Sequence, residues 1–299
     1  MRSFVTDSDI APSPSMTAEE LYALLQHELP ASEAMPDDRI GIQVEPAGHT
    51  IRGILTCLEV TEAVIEEALV QDCNCIVTFH PLIFSPLYSL RPEERVSRCV
   101  MRAVQHNISI VSVHTALDAH PEGTNAYLAS RLGISIERPL VPSRQREGYG
   151  MGIVGVLPRA MSAPELAEWL GEQLSATVRY CIGAIENIEK VAIVAGSGMS
   201  FFDAAVESGA HAFITADVKY HGFHRATGRI ALLDPGHFEM EQFVPEILAN
   251  IIHRVLAQQN MSLPIHACSI RTSPVQVNSS KRFDNGSFTT TVSTNAIER

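Results

Sequence analysis

Short apolar runs alternate with amphipathic stretches along most of the chain. Leu21, Leu24 and Leu25 follow Thr17 and Glu20 at helical spacing, and Thr17 with Glu20 has the reciprocal pattern of a capping box. A Pro-Asp-Asp turn then leads into a short strand over residues 40–44. From residue 51 the rhythm is regular: strand over 51–58, helix over 62–71 behind Thr61, strand over 75–79, helix over 93–106, strand over 108–113. Alternation of this kind predicts an α/β fold, a sheet covered by helices that also serve as crossovers.

The stretch 139–150, PLVPSRQREGYG, is rich in Pro, Gly and charge and reads as a linker. It divides the chain into a first α/β domain over 16–138 and a second over 151–278. The second ends in an apolar stripe of Val244, Ile247, Leu248, Ile251, Ile252 and Val255, which predicts a helix over 242–258. Trp169, in APELAEWLGEQL, is expected to pack against the second sheet. Residues 1–15 and 279–299 lack a core-forming period and are expected to be flexible. Displaced by 137 positions, residues 54–80 lie over 191–217 without a gap, strand on strand and helix on helix. His80 then falls on Asp217. β-α-β units resemble one another in general, but the ungapped match points to two related halves.

With 45% hydrophobic and 19% charged residues in 299, the chain is that of a folded globular protein. A formal charge of −12 with no Lys/Arg run makes nucleic acid an improbable partner. Of six cysteines only Cys73 and Cys75 are close, without the second pair of a zinc site, so reduced buried thiols are expected. No apolar stretch has the length of a membrane span, and the N-terminus has no signal core, so a cytoplasmic location and no membrane partner are expected.

Chemistry collects at strand ends, where open α/β sheets bind ligands. His80-Pro81 ends the strand 76–79, His114 and Asp118 follow the strand 110–113, and His237 and Glu241 follow Leu232-Leu233-Asp234-Pro235-Gly236. Each feature alone is more often a structural hydrogen-bonding group. Imidazoles with carboxylates at three strand ends suit zinc, iron, manganese or nickel. Gly196-Ser197-Gly198 lacks the lysine of a phosphate-binding loop and reads as a turn.

Four stretches, IVTFHPLIFSPL, VHTALDAHPEGTN, GAHAFITADVKYHGFHRA and DPGHFEMEQF, stand in the same order as motifs of the Nif-three-like family, also called GTP cyclohydrolase I type 2 homologs. The resemblance runs from about residue 16 to about 277. It implies two three-layer α/β halves, a metal cleft between them, one or two divalent ions per chain and a homohexameric ring. The ligands it implies are His80, Asp118, His237 and Glu241, the last as a bridging carboxylate, with His114 beside them as proton-transfer group or alternative ligand. Thr215, Asp217 and His221 are expected on the substrate side, although Asp217 would serve equally as a cap. Many members carry two consecutive histidines where this chain has Phe79-His80, which puts one ion in doubt. The expected function is a metal-dependent hydrolase acting on a nucleotide or similar small molecule, His114 or Glu241 moving the proton. The alternative is a non-enzymatic metal-binding ring that stores or delivers metal or scaffolds a protein.

Overall fold

The computed structural model describes residues 16–48 and 50–276, so the expected flexible ends at 1–15 and 279–299 lie outside the described residues. The first half contains helices α1 (Ala18–Glu28), α2 (Glu62–Val70), α3 (Arg95–Gln105) and α4 (His114–Asp118), while α5 (Thr124–Arg131), inside the span expected for the first domain, packs on the second sheet. Its strands are β1 (Gly41–Val44), β2 (Ile54–Cys57), β3 (Cys75–Thr78) and β4 (Ser109–Ser112). The second half adds β5 (Ser135–Pro142), β6 (Gly150–Met161), β7 (Arg179–Cys181), β8 (Ile188–Ile193), β9 (Ala212–Ile214) and β10 (Ala231–Asp234). Its helices are α6 (Ala163–Leu174), α7 (Phe202–Glu207), α8 (Tyr220–Ala226) and α9 (His237–Glu241), followed by α10 (Val244–Gln258) and β11 (Ile265–Ala267).

The first sheet has the order β1-β4-β3-β2-β11 and the second β5-β6-β8-β9-β10-β7. Strands β11, β2, β3 and β4 are parallel, as are β8, β9 and β10. The internal repeat is visible in the register. Ile54 pairs with Cys75 and Val191 with Ala212, the same parallel pairing displaced by 137 positions.

Each sheet is apolar on both faces and each face needs a cover. In the first half, one face packs α2 and α3 around Ile65, Val100 and Ile110, and the other packs α1 and α10 around Leu25, Val77 and Ile251. In the second, α5 and α6 cover one face, with Trp169 half-buried against it, and α7 and α8 cover the other. The result is two three-layer α/β halves. Among the described residues, no helix is long and apolar enough to cross a membrane. Cys57 and Cys75 are buried free thiols whose pKa burial pushes up to about 12.

The expected linker at 139–150 is instead the end of β5 and the turn into β6, registered from Ser135↔Val156 to Pro142↔Gly150. β5 lies at the sheet edge, where proline is tolerated because one row of backbone groups has no partner strand. The helix expected to close the second domain belongs to the first. The apolar face of α10 packs on α1 and on β2, and β11 then adds to β2 in parallel. The first half is therefore built from both ends of the described chain. A helix with a broad apolar stripe goes to whichever sheet face is uncovered, and periodicity cannot tell which.

Candidate metal centre

Past Thr78 the chain bends but stays tied to the end of β2, with Phe79 N donating to Cys57 O (3.0 Å) and His80 N to Leu58 O (2.9 Å). Phe79 lies in the core, 1% exposed, and the His80 ring stands beside it, 5.0 Å between ring centroids, only partly buried. Pro81 ends the run, and the Thr78 hydroxyl donates to His80 O at 3.0 Å, which fixes the turn. The Phe79 carbonyl also ties in the neighbouring strand end, accepting from His114 N and from the Ser112 hydroxyl, both at 3.0 Å. His114 itself opens α4 with a positive φ of 27°.

From the second half, β10 ends at Asp234, Gly236 turns at φ 105°, and α9 begins at His237. Four residues apart, His237 and Glu241 share a helix face, and His237 Nε2 lies 3.0 Å from Glu241 Oε2. His80 Nε2 reaches the same oxygen at 3.3 Å and His237 Nε2 at 3.3 Å. All three donor atoms lie within 4.8 Å of one another, two from the second half and one from the first.

The protonation pattern makes this convergence informative. His237 Nδ1 lies 2.8 Å from Asp217 Oδ2, so the proton sits on Nδ1 and the Nε2 lone pair points at a carboxylate oxygen. Glu241 is 3% exposed, and its Oε2 is buried without a well-formed hydrogen bond. Such an arrangement requires a positive charge at its centre. In the bare protein a proton provides it. Burial pulls the His237 pKa down, but Glu241 and Asp217 outweigh it and raise it to about 10. Burial pushes Glu241 up, and the two imidazoles outweigh that, holding it at about 2. A divalent cation fits the same donor set, since two imidazoles and a carboxylate are its usual ligands.

Asp118 lies outside the close trio. Its Oδ1 is buried without a hydrogen-bond partner, and burial, then the charge of Glu241, raise its pKa to about 7. His114 is not among the three convergent donors either, but its ring stands edge-on to those of His80 (5.5 Å between centroids) and Phe79 (5.3 Å). It lines a 450 Å³ cavity together with His80 and His237.

The residues expected on the substrate side separate. Asp217, at φ 55°, supports His237. Thr215 is fully buried, and its hydroxyl is spent on the neighbouring turn, accepting from Gly198 N (2.8 Å) and donating to Gly196 O (2.9 Å). It has no access to a cavity. His221 lies exposed on α8, where its ring neighbours are Tyr220 and His224, away from the trio.

Two residues of the site escaped the sequence. Asp38 is the partner of His114, with Oδ1 2.7 Å from Nδ1, while its Oδ2 accepts from Thr115 N (3.1 Å) and from the Thr115 hydroxyl. Burial opposes ionisation of Asp38, but those hydrogen bonds and the His114 charge bring its pKa down to about 2. Gly196 (φ 63°) abuts Glu241, and a Cβ there would overlap Glu241 Oε1. The positive-φ turn of Gly196-Ser197-Gly198 was the available signal. It makes room for a carboxylate rather than cradling a phosphate.

A family model described as Duf34/NIF3 (NGG1p interacting factor 3) matches residues 16–274. A GTP cyclohydrolase 1 type 2 homolog of Nostoc sp. is 37% identical over 207 residues, spanning 68% of this chain and 78% of the relative. One of the same name from Clostridium acetobutylicum is 27% identical over 254 residues, 84% of this chain and 95% of the relative. Among solved structures, a Staphylococcus aureus hypothetical protein is similar with a TM-score of 0.80 and 26% identity, covering 89% of this chain and all of that one. A Bacillus cereus protein related to NIF3 shares the fold, with a TM-score of 0.81 at 21% identity over 89% of this chain. The family match runs through both halves and all three convergent donors, and the chain belongs to the DUF34/NIF3 family.

Proposed function

We propose that the protein is a metal-dependent hydrolase acting on a nucleotide or similar small molecule. His80, His237 and Glu241 would hold a divalent ion, with Asp118 completing the donor set and zinc, iron, manganese or nickel as the candidates. One observation carries this: three Lewis-basic atoms within 4.8 Å, contributed by both halves, one of them a buried carboxylate oxygen. When bound, a divalent ion supplies Lewis acidity, bringing the pKa of a water ligand towards ~7 and polarising a substrate oxygen.

The chain's own residues do the rest. Asp217 fixes the His237 ring by accepting its Nδ1 proton. Asp38 does the same for His114, turning Nε2 away from Asp38 in a ring that lines the cavity shared with His80 and His237, and outweighs burial to raise the pKa of that imidazole. His114 is thus placed to take a proton from the attacking water and return it to the leaving group. The Phe79 ring, buried beside both histidines, keeps water from the base of this wall and contributes no donor. The names of the relatives support a nucleotide as substrate class.

A second reading has a specific observation behind it. Phe79 cannot coordinate a metal, and a centre short of one imidazole exchanges its ion more readily, as a metal-storing or metal-delivering ring would. Either reading carries a homohexamer, which light scattering on the full chain tests.

The first experiment is metal content by plasma mass spectrometry on untagged protein and on Phe79→His, with nucleotide hydrolysis followed before and after chelation. At least one ion per chain and hydrolysis that chelation abolishes are expected. Bound ion without turnover would favour the storage ring. Protein free of metal in both forms would overturn both readings.

A further inference from the structure

A cavity of about 600 Å³ opens beside His237, with Arg179, Asp217, Asp234, Glu239 and Arg271 in its lining. Its three carboxylates are all engaged. Asp217 holds His237 at 2.8 Å, and Glu239 accepts from Arg271 Nη2 at 3.0 Å. Asp234, 3% exposed, accepts from Arg179 and from the backbone N–H groups of Val218 and Gly236, each at 3.0 Å.

The two guanidiniums are only partly engaged. A guanidinium carries five N–H donors in a rigid fork. Arg179 uses Nη2 alone, for Asp234 and for Val218 O at 3.1 Å. Arg271 also uses Nη2 alone, with its plane 4.1 Å over the Phe238 ring. Among the described residues, Nε and Nη1 of both arginines have no protein partner, and both side chains are 59% exposed. Each cation is thus anchored at one edge and open at another, on a cavity whose wall includes His237. Open guanidinium edges in a fixed orientation suit the oxygens of a phosphoryl group.

We propose that this cavity is a phosphoryl subsite, in which Arg179 and Arg271 donate to the phosphoryl oxygens of a substrate whose reacting part lies at His80, His237 and Glu241. The subsite rests on the hydrolase reading and narrows its substrates to phosphorylated small molecules. The wall beside Arg271 can yield to a ligand. Residues 272–276 make no hydrogen bond to the body of the protein among the described residues, and the one bond within them joins Val275 N to the Ser273 hydroxyl. Arg271 holds this segment at Glu239, and a phosphoryl group competes with Glu239 for it.

The test is calorimetric titration of the full chain, stripped of metal with EDTA, with guanosine 5′-monophosphate, guanosine and inorganic phosphate as probes. The nucleotide is expected to bind at least ~10-fold tighter than guanosine, and Arg271→Ala to remove about tenfold of that, the value of a lost charge-assisted hydrogen bond. Arg271→Lys should recover part of it. Arg179→Gln should weaken it too, but it also removes the partner of buried Asp234, so exposed Arg271 gives the cleaner variant. Equal affinity for guanosine and its monophosphate, or binding indifferent to both arginines, would overturn the subsite. Inorganic phosphate binding as tightly as the nucleotide would overturn its assignment to substrate and leave a free-anion site. Metal content of the same protein is decided separately. Arginine-dependent nucleotide binding in a protein that never takes up metal would leave the cavity's phosphoryl binding standing but remove the hydrolase reading and, with it, the assignment to a substrate.

Discussion

Two carboxylate–imidazole pairs flank the candidate centre, one in each half, and they differ in burial rather than in length. Asp38 and His114 are 2.7 Å apart, Asp217 and His237 2.8 Å. The Asp38 side chain is 4% exposed and satisfied by four donors, whereas Asp217 is 53% exposed and, among the described residues, holds only His237. The same pairing therefore has different consequences. In the first half the carboxylate is part of the fold, pinning the residues after β4 to the loop before β1. In the second it steers one ring and is screened by water.

The largest expected effect strikes what both pairs serve. Glu241→Gln keeps the volume at the meeting point of His80 and His237 but removes the charge, and stoichiometric metal should be lost in plasma mass spectrometry. Retention of full metal content would detach both pairs from any metal role. Gly196→Ala should act in the same direction, because a Cβ would displace the Glu241 carboxylate and the position needs φ 63°.

Next comes Asp38→Asn, which leaves an imidazole and the Thr115 N–H with a weaker acceptor. A loss of about 2–3 kcal/mol in urea unfolding is expected, the upper part of the range for hydrogen bonds to a charged group. The pH dependence follows with its sign. The folded Asp38 pKa is depressed from the ordinary carboxylate value of 3.8 to about 2, so its contribution is fully present above pH ~4 and disappears as pH falls towards 2. That contribution is about 2 kcal/mol at most, and unfolding midpoints of the natural protein should fall more steeply between pH 4 and 2 than those of Asp38→Asn. Parallel curves would show that the pair does not stabilise the fold.

The two pairs also mark what the sequence could reveal. His80, His237 and Glu241 were legible because each sits where local rules place it, at a strand end or four residues along a helix face. Asp38 was not, since it meets His114 across 76 residues and neither local pattern contains the other. Gly196 was visible as a turn but assigned no purpose, because the carboxylate it accommodates arrives from α9. Both sheets and their repeat were legible from alternation. The hairpin at 139–150 was hidden because edge-strand prolines have the composition of a linker, and the docking of α10 on the first half because an apolar stripe does not name its partner. Thr215 misled for a related reason: a hydroxyl at a strand end looks the same whether it faces a cavity or closes its own turn.

The smallest stability effect, and the sharpest separation of the two pairs, should come from Asp217→Asn. With the carboxylate half exposed, its loss should cost under about 1 kcal/mol in unfolding. Asparagine can still orient the His237 ring, since its carbonyl accepts from Nδ1–H, but it no longer adds negative charge to the imidazole. Metal affinity should then fall by roughly 10-fold, the lower end for removing a partner that supports a ligating histidine. Stability and affinity would thus respond in opposite proportion at the two sites, Asp38 mainly through the fold and Asp217 mainly through the ion. Competition with a chelator of known strength measures the affinity, and urea unfolding of the metal-free protein measures the stability. If Asp217→Asn proved as destabilising as Asp38→Asn, burial would not be what separates the pairs, and Asp217, at its positive φ of 55°, would be holding the turn after β9 rather than tuning His237.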